Sequence, residues 1–233
     1  MRSAERRSRI AWLVGALCIL SPSLRAQTAP VICVDPGHPS EVSAGDVVQH
    51  GTTEVHVAWL VAQLLVRELE SRGVATCITK HAERELVRNR ERAEVANRAR
   101  AVLQVRLHCD AGSGHGFAVY YPDRAATKEG RTGPSADIRA RSRRAATAVD
   151  SAMRASLSDV LFDGGIRGDS KTLVGSKQGA LTGSIFSDVP VVTVEMVVLT
   201  DARDAAFAAS PAGQQRLATA IADGAVAFAR AKH

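Results

Sequence analysis

Four side chains of the kinds that bind metal ions or transfer protons lie at or near the predicted ends of strands and helices. His38 follows the apolar segment 31–34 in VICVDPGHPSE, and His108 ends the apolar segment VLQVRLH. Glu54 opens a predicted helix after a polar loop, and Glu195 lies within VVTVEMVV. Because ligands of open α/β sheets bind beyond the carboxyl ends of the strands, we expect His38 and His108 to emerge at the same rim.

Two imidazoles and one carboxylate form the protein half of a catalytic zinc site, in which water takes the fourth position. His38, Glu54 and His108 are therefore predicted to bind Zn²⁺, and a zinc-bound water of lowered pKa suits hydrolysis of an amide. An alternative stays open for Glu54, since a glutamate in a first helical turn also complements the helix dipole. Histidines on loops are usually solvated. The prediction for His38 and His108 therefore depends on their positions at strand ends.

Glu195 is surrounded in sequence by valines, where an ionised carboxylate is costly to bury without a partner. In one interpretation the glutamate faces the rim and acts as a general base beside a zinc-bound water. In the other it forms a buried pair with one of the many arginines. We expect the first role, which makes Glu195 the predicted catalytic residue.

Apolar strand-like segments alternate with segments of helical period along most of the chain. This pattern predicts a single α/β domain with a twisted, mostly parallel β-sheet flanked by helices on both faces. Segment 189–199 is so rich in β-branched residues that it predicts a central buried strand. Segment 116–122 ends in proline and predicts an edge strand. The glycines of segment 162–172 predict an exposed loop.

The first 29 residues combine a basic start, a short apolar run and small residues, which predicts a signal peptide followed by a catalytic domain at 30–233. A membrane-anchored N-terminus is the alternative, although the apolar run is short for a span. Five of the 30 basic residues and one of the 24 acidic residues lie in this leader, so the remainder is nearly neutral. Because of the predicted signal peptide, we expect a periplasmic or secreted protein with no stable membrane span after cleavage. Because the remainder is nearly neutral, we expect no nucleic-acid partner.

Three cysteines follow the predicted leader, at Cys33, Cys77 and Cys109. An odd number at these spacings is unlike a zinc knuckle or a disulfide-rich scaffold. Cys33 and Cys77 can form a bridge if they lie on adjacent strands in an oxidising compartment. The alternative is that all three are small buried side chains.

Several motifs follow one another in a characteristic order along the predicted domain. They are a strand leading into Asp-Pro-Gly-His at His38, a helix headed by Glu54, Arg92 before an Ala-Asn pair, the strand end RLHCD with His108, and a late strand with Glu195. In this order they resemble the catalytic domain of the zinc-dependent N-acetylmuramoyl-L-alanine amidases of the cell-wall-lysis and cell-division type.

The resemblance implies a twisted, mostly parallel sheet and a site in which His38, Glu54 and His108 hold Zn²⁺ beside Glu195. It also implies a substrate, peptidoglycan, and a reaction, hydrolysis of the amide between N-acetylmuramic acid and L-alanine. Activator proteins are not indicated by the sequence.

The chain departs from the family's motifs next to the predicted site. Pro39 and Ser40 follow His38 where glycines are usual, Arg106 replaces a serine two positions before His108, and Asp110 replaces an asparagine. None of these changes removes a predicted ligand. They leave open two alternatives: a catalytically weakened peptidoglycan-binding or regulatory module of the same fold, or a zinc hydrolase of a different amide or peptide bond.

Overall fold

A six-stranded sheet forms the centre of the protein, which is represented by a computed structural model that describes residues 29–231. Its strands lie in the order β2-β1-β3-β8-β4-β7, and β5 and β6 form a separate hairpin. The strands are β1 (Val31–Pro36), β2 (Ala75–Ile78), β3 (Leu103–Asp110), β4 (Phe117–Tyr121), β5 (Ala126–Lys128), β6 (Arg131–Gly133), β7 (Asp163–Gly168) and β8 (Val191–Val198).

The four strands β2, β1, β3 and β8 are parallel to one another, which brings their carboxyl ends to one rim. Strand β4 pairs with β8 in the antiparallel sense, and β7 is parallel to β4. The predicted single α/β domain with a mostly parallel sheet is confirmed. The predicted central strand is also confirmed, because β8 lies between β3 and β4.

Helices cover both faces of the sheet, as expected. Helices α1 and α3 both pack against α7 on one face, and α2 contacts β1, β2 and β3 from the other. The helices are α1 (Glu54–Ser71), α2 (Asn89–Arg98), α3 (Ala136–Leu157), α4 (Leu173–Gln178), α5 (Thr182–Ile185), α6 (Ala202–Ala209) and α7 (Pro211–Arg230), with a 3₁₀ turn at Asp169–Lys171. Helix α1 begins where it does because the Thr53 hydroxyl accepts a hydrogen bond from the amide of His56, at 3.3 Å.

Two predictions about the far side of the sheet are wrong. Strand β4 is not an edge strand, because β7 covers it, and Pro122 lies beyond its last residue and removes no hydrogen-bond donor from it. The segment predicted as an exposed loop contains β7 and the 3₁₀ turn. Glycine permits this pairing: a Cβ at Gly164 would lie 2.7 Å from the carbonyl oxygen of Phe117 on β4.

Cys33 and Cys77 are direct neighbours on the parallel strands β1 and β2 and form a disulfide. Their Cα atoms are 4.5 Å apart, which suits a bridge between adjacent strands. Cys109 is free and buried. The alternative left open by the sequence is therefore resolved in favour of one disulfide.

The predicted leader falls almost entirely outside residues 29–231, so the signal peptide stays a prediction. Within that range, no helix combines the length and apolar character needed to cross a membrane.

Candidate active site

The turn after β1 presents His38 at the rim of the sheet, and its geometry explains the small residue before the histidine. The amide of Gly37 donates to the carbonyl of Leu107 on the neighbouring strand at 2.9 Å. A Cβ at Gly37 would lie 2.7 Å from Cε1 of His108, so a larger residue would push the two histidines apart. Nδ1 of His38 lies 3.0 Å from the carbonyl oxygen of Ser43, which fixes the orientation of the ring.

His38, Glu54 and His108 converge on one point, as predicted from their positions in the sequence. Oε1 of Glu54 lies 3.2 Å from Nε2 of His38 and 2.8 Å from Nδ1 of His108. The same oxygen accepts a hydrogen bond of 3.2 Å from the amide of Cys109. One ligand atom from each of the three residues lies within 4.8 Å of the others, an arrangement that can hold a metal ion.

The hydrogen bond from His38 to Ser43 tests whether a cation fits this cluster. Because the carbonyl can only accept, Nδ1 of His38 carries the proton, and the lone pair of a neutral Nε2 faces the carboxylate of Glu54. Two lone pairs repel unless a proton or a cation lies between them. Two imidazoles and one carboxylate also match the donor set of a catalytic zinc site. The residues therefore fit a divalent metal.

The ionisation of the cluster also favours cation binding. Burial alone would raise the pKa of Glu54, but hydrogen bonds and charge interactions with His108 and His38 lower it to about 2. Burial lowers the pKa of His38, but its interactions with Glu54 outweigh this and raise it above its usual value. Burial keeps the pKa of His108 below its usual value. At neutral pH, Glu54 is therefore an anion.

Glu195 lies beside His108, to which it is the register partner across β8 and β3. Its Oε2 is buried and has no hydrogen-bond partner in the described part of the chain. Burial raises the pKa of this carboxyl well above its usual value, and the charges of Glu54 and Asp110 raise it further. A carboxyl of raised pKa next to a candidate metal centre is suited to holding and releasing a proton.

A buried ion pair behind the rim holds the turn that carries His38. Arg92 donates to Asp35 at 2.6 Å and to the carbonyl oxygens of Pro36 and Pro39 at 2.6 and 2.9 Å. Arg106 donates to the other carboxylate oxygen of Asp35 at 3.1 Å. Burial opposes ionisation of Asp35, but the two arginines lower its pKa to about 2. Arg92 therefore connects α2 to the end of β1 and to the turn that follows it.

A cleft of about 350 Å³ extends from His38 and His108 down the face of the sheet. The histidines at the candidate metal centre were predicted from the sequence. Most other residues that line the cleft were not, because they do not lie at the ends of strands. These further lining residues include Val42, Asn89, Tyr120, Lys171, Thr172, Leu173, Val174, Leu181, Thr182 and Thr193. Segments 171–174 and 181–182 show no chemical motif, and only the packing of the short helices α4 and α5 brings them to the site.

The fold and the site together define an α/β domain with a candidate metal centre at the carboxyl ends of its parallel strands. Residues 32–227 match the family model of N-acetylmuramoyl-L-alanine amidase, and the chain belongs to this family. Members of the family hydrolyse an amide bond of peptidoglycan, and the protein is accordingly a peptidoglycan amidase. The resemblance drawn from the sequence motifs is confirmed.

Solved structures of amidases share the fold. The amidase AmiC2 of Nostoc punctiforme is 23% identical, with a TM-score of 0.68 over 85% of this chain and 96% of that one. The apo form of Ami1 from Mycobacterium abscessus is 25% identical, with a TM-score of 0.66 over 85% and 98%. The CwlD amidase from Clostridioides difficile, solved in complex with the GerS lipoprotein, is 16% identical, with a TM-score of 0.67 over 85% and 98%. No curated protein sequence matches the chain.

Proposed function

We propose that the protein is a zinc-dependent amidase that cleaves the bond between N-acetylmuramic acid and L-alanine, with His38, Glu54 and His108 as the metal ligands. The observation that carries the proposal is the convergence of three ligand atoms within 4.8 Å, beside a glutamate whose buried oxygen has no partner among the described residues. When bound, zinc supplies a water of lowered pKa and polarises the scissile carbonyl.

The side chains of the site divide the remaining work. Glu195 accepts a proton from the attacking water on its carboxylate and delivers it to the amine nitrogen of the departing L-alanine. Ser43 keeps the proton of His38 on Nδ1 and leaves Nε2 free to bind the metal. Arg92 holds the backbone on either side of Gly37 and His38 through the carbonyls of Pro36 and Pro39.

We also propose that the protein acts outside the cytoplasm, in the periplasm or after secretion, with residues 1–29 as its signal peptide. Peptidoglycan lies outside the cytoplasmic membrane, so an amidase that acts on intact wall has to be exported. The disulfide between Cys33 and Cys77 supports an oxidising compartment. N-terminal sequencing of the protein from the extracytoplasmic fraction tests this, and a mature protein that retains residues 1–29 would contradict it.

Metal analysis paired with digestion of purified sacculi tests the enzymatic proposal. We expect near-stoichiometric zinc, loss of zinc in His38→Ala and His108→Ala, and release of stem peptides whose masses identify the cleaved amide. His81→Ala is the matched control, because His81 is exposed and lies outside the cluster. Glu195→Gln should keep its zinc and lose at least about a hundredfold in turnover.

The alternatives predict different outcomes in the same experiment. A protein that binds sacculi and releases no peptide would be a non-catalytic binding or regulatory module. Products cut at another bond would identify a hydrolase of a different amide. Turnover by Glu195→Gln at the rate of the unmodified protein would contradict the role of Glu195, and absence of zinc would contradict the metal site.

A further inference from the structure

Arg106 lies beneath the cleft, and only some of its guanidinium nitrogens donate hydrogen bonds to neighbouring residues. Its Nε donates to Asp35 at 3.1 Å, and its Nη2 donates to Oδ1 of Asn89 at 2.6 Å. Within residues 29–231, Nη1 makes no hydrogen bond, and the residue is among those that line the cleft. A Cβ at Gly183 would lie 3.1 Å from this Nη1, so glycine leaves room for the guanidinium here.

Within the described residues, Arg106 shares its one direct counter-ion with a second arginine. Asp35 is shared with Arg92, so one carboxylate contacts two guanidinium groups. The charge of Arg106 also acts on the buried carboxyls of Asp169 and Glu195, but from beyond ion-pair distance. No ion pair joins Arg106 to Glu195 in the described part of the chain. A buried cation without its own counter-ion is costly, and an anionic ligand in the cleft would offset this cost.

A second cation lies on the wall of the same cleft. Lys171 ends the 3₁₀ turn before α4 and is exposed, and it forms no ion pair or side-chain hydrogen bond within the described range. Its charge therefore has no structural role that the fold reveals. The acidic groups Asp110 and Glu195 also line the cleft, beside the cluster of candidate metal ligands.

We propose that Arg106 and Lys171 form a subsite that binds a carboxylate of the substrate's peptide, and the proposal rests on the amidase function given above. In the substrate, the carboxyl group of N-acetylmuramic acid is consumed in the scissile amide, so the sugar is uncharged there. The peptide on the other side of that amide carries free carboxylates. Planar guanidinium groups suit carboxylate recognition. The subsite would hold the departing peptide by its carboxylate while the scissile amide lies at the candidate metal centre.

The test compares two probes that differ by one charge: N-acetylmuramoyl-L-alanyl-D-glutamate, and the same compound with the α-carboxylate of glutamate converted to a carboxamide. KM and kcat are measured for both, and binding of the two corresponding free dipeptides is measured by calorimetry. We expect the unmodified protein to prefer the carboxylate in KM and in dipeptide affinity by about tenfold. Lys171→Met should reduce this preference by about threefold in KM and in dipeptide affinity.

Two further variants separate this role from effects on folding. Lys177→Met is the matched control, because Lys177 is an exposed lysine on α4 that does not line the cleft, and it should keep the full preference. Arg106→Gln should abolish the preference. If Arg106→Gln does not fold, the unmodified protein and Lys171→Met still decide the question.

The outcomes distinguish this proposal from the amidase function itself. Equal KM and equal dipeptide affinity for the charged and uncharged forms would overturn the subsite while leaving the amidase function intact. A preference that Lys171→Met and a folded Arg106→Gln both retain would also overturn it. Binding of the carboxylate dipeptide through Lys171 without hydrolysis of either probe would support the subsite and contradict the amidase function.

Discussion

The two faces of the sheet are built from alternate residues of the same strands, yet they differ sharply in chemistry. Toward α1, α3 and α7, strands β1, β3 and β8 present an apolar surface: Ile32, Val34, Leu103, Val105, Leu107, Val192, Val194 and Met196. Toward α2 and the cleft, a polar row crosses the sheet in register from Asp35 through Arg106 and Thr193 to Tyr120. One face forms the main core, and the other carries the site.

The difference teaches that burial serves separate purposes on the two faces. Apolar burial stabilises the fold through area removed from water and close packing. The ion pair of Asp35 with Arg92 instead loses hydration on both partners, and its net contribution to stability is small or unfavourable relative to apolar residues. What it supplies is a fixed position for the turn that carries His38, since Arg92 also binds the carbonyls of Pro36 and Pro39.

The largest loss of stability is expected when Asp35, the carboxylate of the polar row, is replaced. Asp35→Asn leaves Arg92 and Arg106 without a counter-ion and should lower the free energy of unfolding by about 4 kcal/mol. Urea denaturation at neutral pH measures this. The folded fraction should also bind zinc more weakly, because the turn at His38 loses its anchor.

A matched control lies on the surface of α3. Asp137 pairs with Arg141 at 4.0 Å and is exposed, so Asp137→Asn should leave both stability and zinc affinity nearly unchanged. If Asp35→Asn destabilises the protein no more than Asp137→Asn does, the buried pair has no special role in holding the turn.

A smaller effect of a different kind is expected on the apolar face. Leu103 is the first residue of β3, five positions before His108, and its fully buried side chain faces the main core. Leu103→Ala should lower the free energy of unfolding by about 3 kcal/mol through lost packing and the cavity left behind. Zinc affinity of the folded protein should stay close to that of the unmodified chain. A fall in zinc affinity as large as that of Asp35→Asn would contradict the division between the faces.

The same contrast explains how far the sequence could predict the structure. The apolar face has a regular period, so β1, β3, β8 and the long helices were predictable, and His38, Glu54 and His108 could be assigned to the rim from their places at element ends. The polar face has no period of its own. Arg106 stood out only as a departure from a motif, and Lys171 lies in a glycine-rich segment whose pairing with β4 depends on backbone contacts that residue types do not specify.

Lowering the pH should reduce the stability that the Asp35 ion pair provides on the polar face before it affects packing on the apolar face. Asp35 has a pKa of about 2 in the folded protein, against 3.8 ordinarily, because Arg92 and Arg106 favour its ionised form. Its contribution to stability is therefore complete above about pH 4 and is lost as the pH falls toward about 2, which amounts to about 2 kcal/mol. The difference in stability between the unmodified protein and Asp35→Asn, both measured with a metal chelator, should shrink by about 2 kcal/mol over this range. A stability difference that stays constant with pH would contradict the prediction.

The smallest effect is expected from an ion pair that belongs to neither face. Glu68 and Arg72 pair at 2.9 Å where the end of α1 meets α7, one helical turn apart, and both are about one-quarter exposed. Water screens the attraction there, and Arg72 also has Asp223 within 3.2 Å as a second partner. Glu68→Gln should therefore change the free energy of unfolding by less than about 1 kcal/mol, with no change in zinc affinity. If Glu68→Gln lowers the free energy of unfolding as much as Asp35→Asn does in parallel urea denaturation, burial does not determine how strongly an ion pair affects stability.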